Sequence, residues 1–275
     1  MAFTARDEDN GNNNKQHLNL STLAYEVILG DMFTFGEDKL SGFINTVFAY
    51  YYPIAEASIS RTLNQLSGEL SKYVSDIPGD EKTKKRVLEK LVSQKKDSLI
   101  KKAESYEGGK SFKFWLNKSN HDYLSEPSSE CREDKYYSRR GKYIKSVLEE
   151  YARLPYVERE KIYFSPFMTE IQNAIHTERQ LRIITDKDVI YSVYPHEILS
   201  DPLSTANYLV GYCTRYDDPE DEKRPCSFKI SALKSVRLEK SKSAFLKSAM
   251  WKQLSHTISS RGVQFLVGNE AEIHV

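Results

Sequence analysis

The sequence predicts an α+β protein: a helical N-terminal region, then a compact unit of short strands, then a closing helix. Two observations carry that expectation. Apolar residues recur at helical spacing over Leu40–Ala55 and again from Tyr143 to Leu154. From Val189 to Leu238 the chain reads as a run of short strands with turn residues between them, and Val189, Tyr191 and Val193 alternate with more polar neighbours. A third observation sets the scale, since 275 residues with 39 % hydrophobic content suffice for two domains or three small ones.

In chain order, Met1 to about Gln16 is polar and Asn-rich, and residues 1–17 are read as a disordered tail. A helical region over 18–108 follows. Tyr25–Phe35 fits a strand or a helix. Leu40–Ala55 is a helix through Phe43, Ile44, Val47, Phe48 and Tyr51, which Pro53 kinks or ends. Ser58–Tyr73 gives a second helix through Ile59, Leu63, Leu66 and Leu70. The triplet Tyr50-Tyr51-Tyr52 suits a core or a dimer interface better than base stacking. Asp80–Lys118 holds twelve basic residues against six acidic ones. Lys95 and Lys102 fall inside its apolar arc of Val87, Leu88, Leu91 and Leu99, so deep burial is excluded by the cost of an unpaired ammonium. A solvated helix explains most of these lysines; a surface tracking phosphates is the sharper reading.

Residues 109–162 read as strand, helix, helix. Alternation puts Phe112, Phe114 and Leu116 on one strand face and Lys113, Trp115 and Asn117 on the other. A helix starts at Ser119 or Asn120, and a polar insert runs from Glu126 to Asp134. Ser138 then caps a helix whose stripe is Tyr143 or Ile144, Val147, Leu148, Tyr151 and Leu154. A lone strand with two open edges is not stable, so a partner is required, from a second protomer or from Tyr25–Phe35. Further on, Val189, Tyr191 and Val193 alternate, Pro195 ends that strand, and Asp201-Pro202 turns the chain. Asn207–Cys213 and Phe228–Leu238 give two or three more strands, which suggests a small barrel closed on itself. Ser243–Ser260 is a helix through Phe245, Leu246, Ala249, Trp251 and Leu254.

Composition bounds the function. Forty basic and thirty-nine acidic residues leave a net charge of +1, so any polyanion site must be a local patch. Cys131, Cys213 and Cys226 lack paired metal spacing and read as free thiols of a cytoplasmic protein. No apolar run approaches the ~20 residues of a membrane span. The six histidines are dispersed and no glycine-rich phosphate loop exists, so no catalytic set, metal or cofactor is expected. The chain reads as a binding protein, not an enzyme.

Two family resemblances sharpen this. Tyr194-Pro195-His196, Asn207-Tyr208-Leu209 and Phe228-Lys229-Ile230, preceded by the helix E-I-Q-N-A-I, resemble the WYL domain, a small Sm-like β-barrel of bacterial regulators and CRISPR accessory proteins. The resemblance covers roughly 163–245, with Asn207 at the signature Trp and Ala232 where the family usually has an Arg. It implies binding of nucleic acid or nucleotide-type ligands, with Tyr194, His196, Tyr208 and Lys229 as contacts and Arg182 and Arg215 as substitutes for the absent guanidinium. Each has a plainer role: Tyr208 can cover the barrel end, Lys229 can reach into solvent, and His196 can hydrogen-bond at a strand end. Residues 109–162 are similar to a ribbon-helix-helix unit. There Lys113, Trp115 and Asn117 would be the reading face, with Arg139, Arg140 and the second helix start meeting phosphates. Trp115 can equally pack beneath a helix. Residues 246–275 would hold the C-terminal helix and the start of a dimerisation extension, as WYL proteins often carry.

Together the resemblances imply an accessory protein like those encoded beside type VI-D CRISPR effectors. Such a protein binds single-stranded RNA, or DNA, and stimulates a partner RNA-guided nuclease, as a homodimer. The alternative is a WYL transcription regulator that reads operator DNA and senses a nucleotide. The exchange of Arg for Ala232 and the insert both weigh against the alternative.

Overall fold

The computed structural model describes residues 14–104, 109–125, 140–201, 203, 205–216, 218, 222–242 and 248–263. They form two compact units, one drawn from Asp7–Arg153 and one from Leu154–Val275.

The first unit is built on β1 (Lys15–Leu20), α1 (Thr22–Thr34), α2 (Leu40–Ser75), α3 (Glu81–Glu104), β2 (Lys110–Trp115), α4 (Lys118–Ser125) and α5 (Arg140–Tyr151). Tyr25–Phe35 resolves to helix. The Ser21 hydroxyl accepts from the Ala24 amide at its start, and Ala24, Ile28 and Asp31 recur at helical spacing on its buried side. Pro53 neither ends nor divides its helix: α2 runs unbroken through it for 36 residues. The proline is exposed, and Val47, Phe48, Tyr51 and Ala55 are buried on both sides of it, so packing holds the helix across the lost hydrogen bond. The core gathers Leu18, Leu20, Ile28, Phe43, Ile44, Phe48, Phe114, Ile144, Leu148 and Tyr151. Of the tyrosine triplet, Tyr51 is buried, and burial with Glu150 nearby pushes its hydroxyl up to about 12. Tyr52 stacks on Tyr123 at 3.9 Å.

β1 pairs antiparallel with β2, from Lys15 opposite Trp115 to Leu20 opposite Lys110. The required partner strand thus comes neither from a second protomer nor from Tyr25–Phe35. Lys15 and Gln16, expected in a disordered tail, belong to it. The reason is visible at Leu18 and Leu20, which are buried in the core and commit the polar stretch around them to a strand. The arrangement is strand, helix, helix as expected, but its ribbon is made within one chain.

The second unit contains α6 (Tyr156–Tyr163), α7 (Ser165–His176), β3 (Arg179–Thr185), β4 (Ile190–Ser200), β5 (Asn207–Arg215), β6 (Arg224–Lys229), a 3₁₀ turn (Ile230–Ala232), β7 (Leu233–Lys242) and α8 (Ser248–Arg261). The strands make one antiparallel sheet in the order β6-β5-β4-β3-β7. No pairing of β6 with β7 is present among the described residues, so the expected closed barrel is an open five-stranded sheet. It is nonetheless curled. Four strand spacings would set flat edges about 19 Å apart, whereas the four residue steps from Lys229 to Leu233 reach at most about 14 Å. One face packs on α7, with Leu181, Ile183 and Val193 of the sheet and Ile171 and Ala174 of the helix fully buried.

Pro195 does not end its strand either. β4 continues to Ser200 through a bulge between Pro195 and Glu197, which accommodates a residue with no amide hydrogen to give the ladder. Gly211 lies opposite, and a Cβ there would stand 2.1 Å from the Tyr194 carbonyl oxygen, so only glycine permits this approach.

Candidate nucleic-acid interface

On the sheet face away from α7, alternation and the bulge align Tyr194 and Leu199 of β4 with Tyr208, Val210 and Tyr212 of β5. These side chains pack with Leu254 and Val263, and Met250, Trp251 and Ile258 close over them. The Tyr212 hydroxyl donates to the Met250 carbonyl at 3.0 Å. His196, the extra residue of the bulge, stacks on Trp251 at 4.5 Å and 11°. Burial pushes the hydroxyls of Tyr194, Tyr208 and Tyr212 up, with Asp201 and Glu160 adding to the effect at Tyr208. Tyr208 is therefore a buried ring beneath α8. Lys229 stands directly opposite it on β6 and is half-buried.

Asn207, at the signature Trp position, has a structural task. Its amide and its side-chain nitrogen donate to the fully buried Glu160 carboxylate at 2.6 and 2.8 Å, and the nitrogen also reaches the Val157 carbonyl. The Ser231 amide donates to the other Glu160 oxygen at 3.3 Å. One carboxylate thus ties α6 to the start of β5 and to the 3₁₀ turn. Nothing in the spacing of Glu160 and Asn207 signals this; the helix-like charge pattern around Glu160 hides it.

The other end of the same face is open. Ser192, Tyr194, Thr214, Arg215, Tyr216, Asp218, Glu222 and Lys223 line a cleft of about 710 Å³. Arg182 is brought to its edge: it pairs with Ser192 across β3 and β4, and its guanidinium lies 4.2 Å above the Tyr216 ring. Lys223 lies 5.0 Å above the Tyr194 ring. Arg237, paired with Arg182 on β7, is exposed. Of the two arginines named from sequence as substitutes for the absent guanidinium, Arg215 lines the cleft and Arg182 stands at its edge, and Tyr216 and Lys223 join them unannounced.

In the first unit, Lys113 and Trp115 are exposed, Trp115 by 55 %, so its ring is not packed beneath a helix. Asn117 leaves that row. Its side-chain oxygen accepts the Asn120 amide at 2.9 Å and so caps α4, while its own amide donates to Asn45. Arg140 begins α5; Arg139, Ser138, Cys131 and the insert lie outside the described residues. Cys213 and Cys226 are buried thiols with no disulfide between them, and burial together with the Cys213 neighbour raises the Cys226 thiol well above its ordinary value. Among the described residues no three His, Cys, Asp or Glu side chains are grouped to hold a metal ion, and no helix is long and apolar enough to cross a membrane.

No family model matches the chain, and no curated protein matches it. A solved structure described as "Crystal structure of a CRISPR Cas-related protein" superposes with a TM-score of 0.61 at 22 % identity, over 91 % of this chain and 73 % of that one. At that identity the likeness establishes a shared fold.

Proposed function

We propose that this chain is a non-catalytic accessory protein that binds single-stranded RNA and stimulates an RNA-guided CRISPR nuclease in the cytoplasm, acting as a homodimer. The observation that carries the reading is the open end of the sheet, where Arg182 lies over the exposed Tyr216 ring and Arg215 and Lys223 line the same cleft beside Asp218 and Glu222. Cations beside an accessible ring suit a phosphate backbone with its bases turned out, which single strands offer and duplexes do not. The CRISPR Cas-related protein of like fold supports the setting. The strand order, with a 3₁₀ turn joining its two edges, supports reading the sheet as a WYL-type Sm-like barrel left open between β6 and β7.

The test is a salt-dependent titration of single-stranded RNA, single-stranded DNA and duplex DNA, followed by addition of the chain to an RNA-guided RNA nuclease. Preference for single strands with a shallow salt slope, and a raised cleavage rate, are expected. Tight binding to duplex at one palindromic site overturns the reading. One observation favours a second reading, a regulator that senses a nucleotide: the cleft volume of about 710 Å³ falls in the range of small-ligand sites. Saturable binding of a mononucleotide in the cleft, with tight duplex binding, would support it.

A further inference from the structure

We propose that the helical hairpin of α2 and α3 makes the homodimer, pairing with the same hairpin of a second copy as a four-helix bundle. The inference rests on the homodimer reading above and names the surface responsible.

Two strand-helix-helix halves, β1-α1-α2 and β2-α4-α5, build the first unit, and the ribbon joins them within one chain. No second copy is needed at the ribbon, so a dimer must be made elsewhere. Between the halves the chain takes a long detour. α2 runs on from Ala55 to Ser75, and α3 brings the chain back from Glu81. Past Ala55, Val74 alone is buried among the described residues of the two helices. Helices in proteins are held chiefly by packing an apolar face, and one seam between two helices supplies little of that.

Helical spacing shows where further packing belongs. Leu63, Leu70 and Val74 of α2 and Leu88, Val92 and Leu99 of α3 are the buried or half-buried seam positions. Near the turn, the Lys84 amine donates to the Ser75 carbonyl at 2.9 Å across that seam. Beside it, Leu66, Tyr73 and Ile77 follow one side of α2, and Val87 and Leu91 continue that side onto α3. Tyr73 is 72 % exposed, and Ile77, Val87 and Leu91 are exposed with it. The other side carries Ser67, Ser71, Lys85 and Glu89, which water satisfies. One apolar side on an otherwise polar hairpin marks a contact surface.

Charge selects a second copy as the occupant. Glu69 borders the apolar side on α2 and Lys90 borders it on α3, within one helical turn of the same height above the turn. A two-fold axis along the hairpin lays α2 of each copy over α3 of the other. Glu69 of each copy then meets Lys90 of the other, and Tyr73 covers Val87. A self-complementary patch of this kind is what two-fold pairing requires. Spacing carries Lys82, Lys85 and Arg86 off this side, so the cations of α3 do not face one another. The hairpin face, about 30 Å by 20 Å, is on the order of the ~800 Å² per partner that a stable interface buries.

The test is sedimentation velocity of the full chain over a concentration series. The unaltered chain should be a dimer. Tyr73→Asp with Leu91→Asp should weaken dimerisation roughly 100-fold or more, with Tm unchanged because both side chains are exposed. Glu69→Lys and Lys90→Glu should each weaken it about tenfold. Mixing those two single variants should restore a dimer, since every contact between them then joins opposite charges. A dimer that survives Tyr73→Asp with Leu91→Asp overturns the hairpin and leaves the homodimer reading standing. Two charge variants that stay monomeric when mixed also overturn this pairing. A monomeric unaltered chain overturns hairpin and homodimer together. A monomer whose stimulation of the nuclease falls in the same variants overturns the second copy in favour of the effector as occupant. Affinity for single-stranded RNA, measured on the same samples, should not follow the hairpin variants, so its absence would count against the RNA reading alone.

Discussion

The outer face of the five-stranded sheet is sealed at one end and open at the other, on the same strands. Tyr208 and Tyr212 lie under Met250, Trp251 and Leu254, whereas Ser192, Thr214 and Arg215, a few residues along β4 and β5, line a solvent cleft. The covering element comes from some forty residues downstream, so the strands alone do not say which end it shields. What decides is desolvation. Tyrosine gives up water cheaply when its hydroxyl finds a carbonyl, as Tyr212 does, but a guanidinium cannot be covered without a full set of partners. Residues that look most ligand-like can thus become core, while the charged residues further along the strands stay in solvent.

The contrast can be broken at its strongest point first. Glu160→Ala removes the acceptor shared by Asn207 and Ser231 and should cost on the order of 4 kcal/mol, read by chemical denaturation. Gly211→Ala forces a methyl against the Tyr194 carbonyl between the two ends, and a loss of about 3 kcal/mol is expected. Reversing Arg182 and Arg215 together should weaken single-strand RNA binding about tenfold, equivalent to about 1.4 kcal/mol, with Tm unchanged. Tyr208→Phe at the sealed end should leave RNA affinity as it was; a matching loss would show that α8 opens to admit the strand. The smallest effect lies in the other unit. Burial raises the Glu150 carboxyl, with Arg153 partly opposing. The folded state then holds that proton more tightly than the unfolded chain, so stability falls as pH climbs above the ordinary carboxylate range. Glu150→Gln should recover under about 1 kcal/mol at pH 7 and nothing near pH 4, measured as Tm against pH.

Much of the fold was legible. Alternation in β2 and the stripe of α5 each set a face that the structure keeps, since one period-two and one period-3.6 pattern leave little choice. Pro53 and Pro195 misled for a common reason: local breaking power was outweighed by burial on both sides of the first and by a bulge facing glycine at the second. β1 was hidden because only Leu18 and Leu20 mark it within a polar stretch. At the cleft, Arg182 and Arg215 were nameable as cations, but that Arg215 lines it and Arg182 stands over Tyr216 at its edge depends on how three strands pair, which one-dimensional pattern does not contain. Asn117 was drawn into the reading row by parity, when the strand had already ended and its side chain had turned to cap α4.

The 3₁₀ turn from Ile230 to Ala232 has one more effect. By carrying the chain from one border of the sheet to the other in three residues, it brings the ends of β6 and β7 together there. A foreign strand has little room to insert at that corner, so the connection itself guards the end of each border where the two meet.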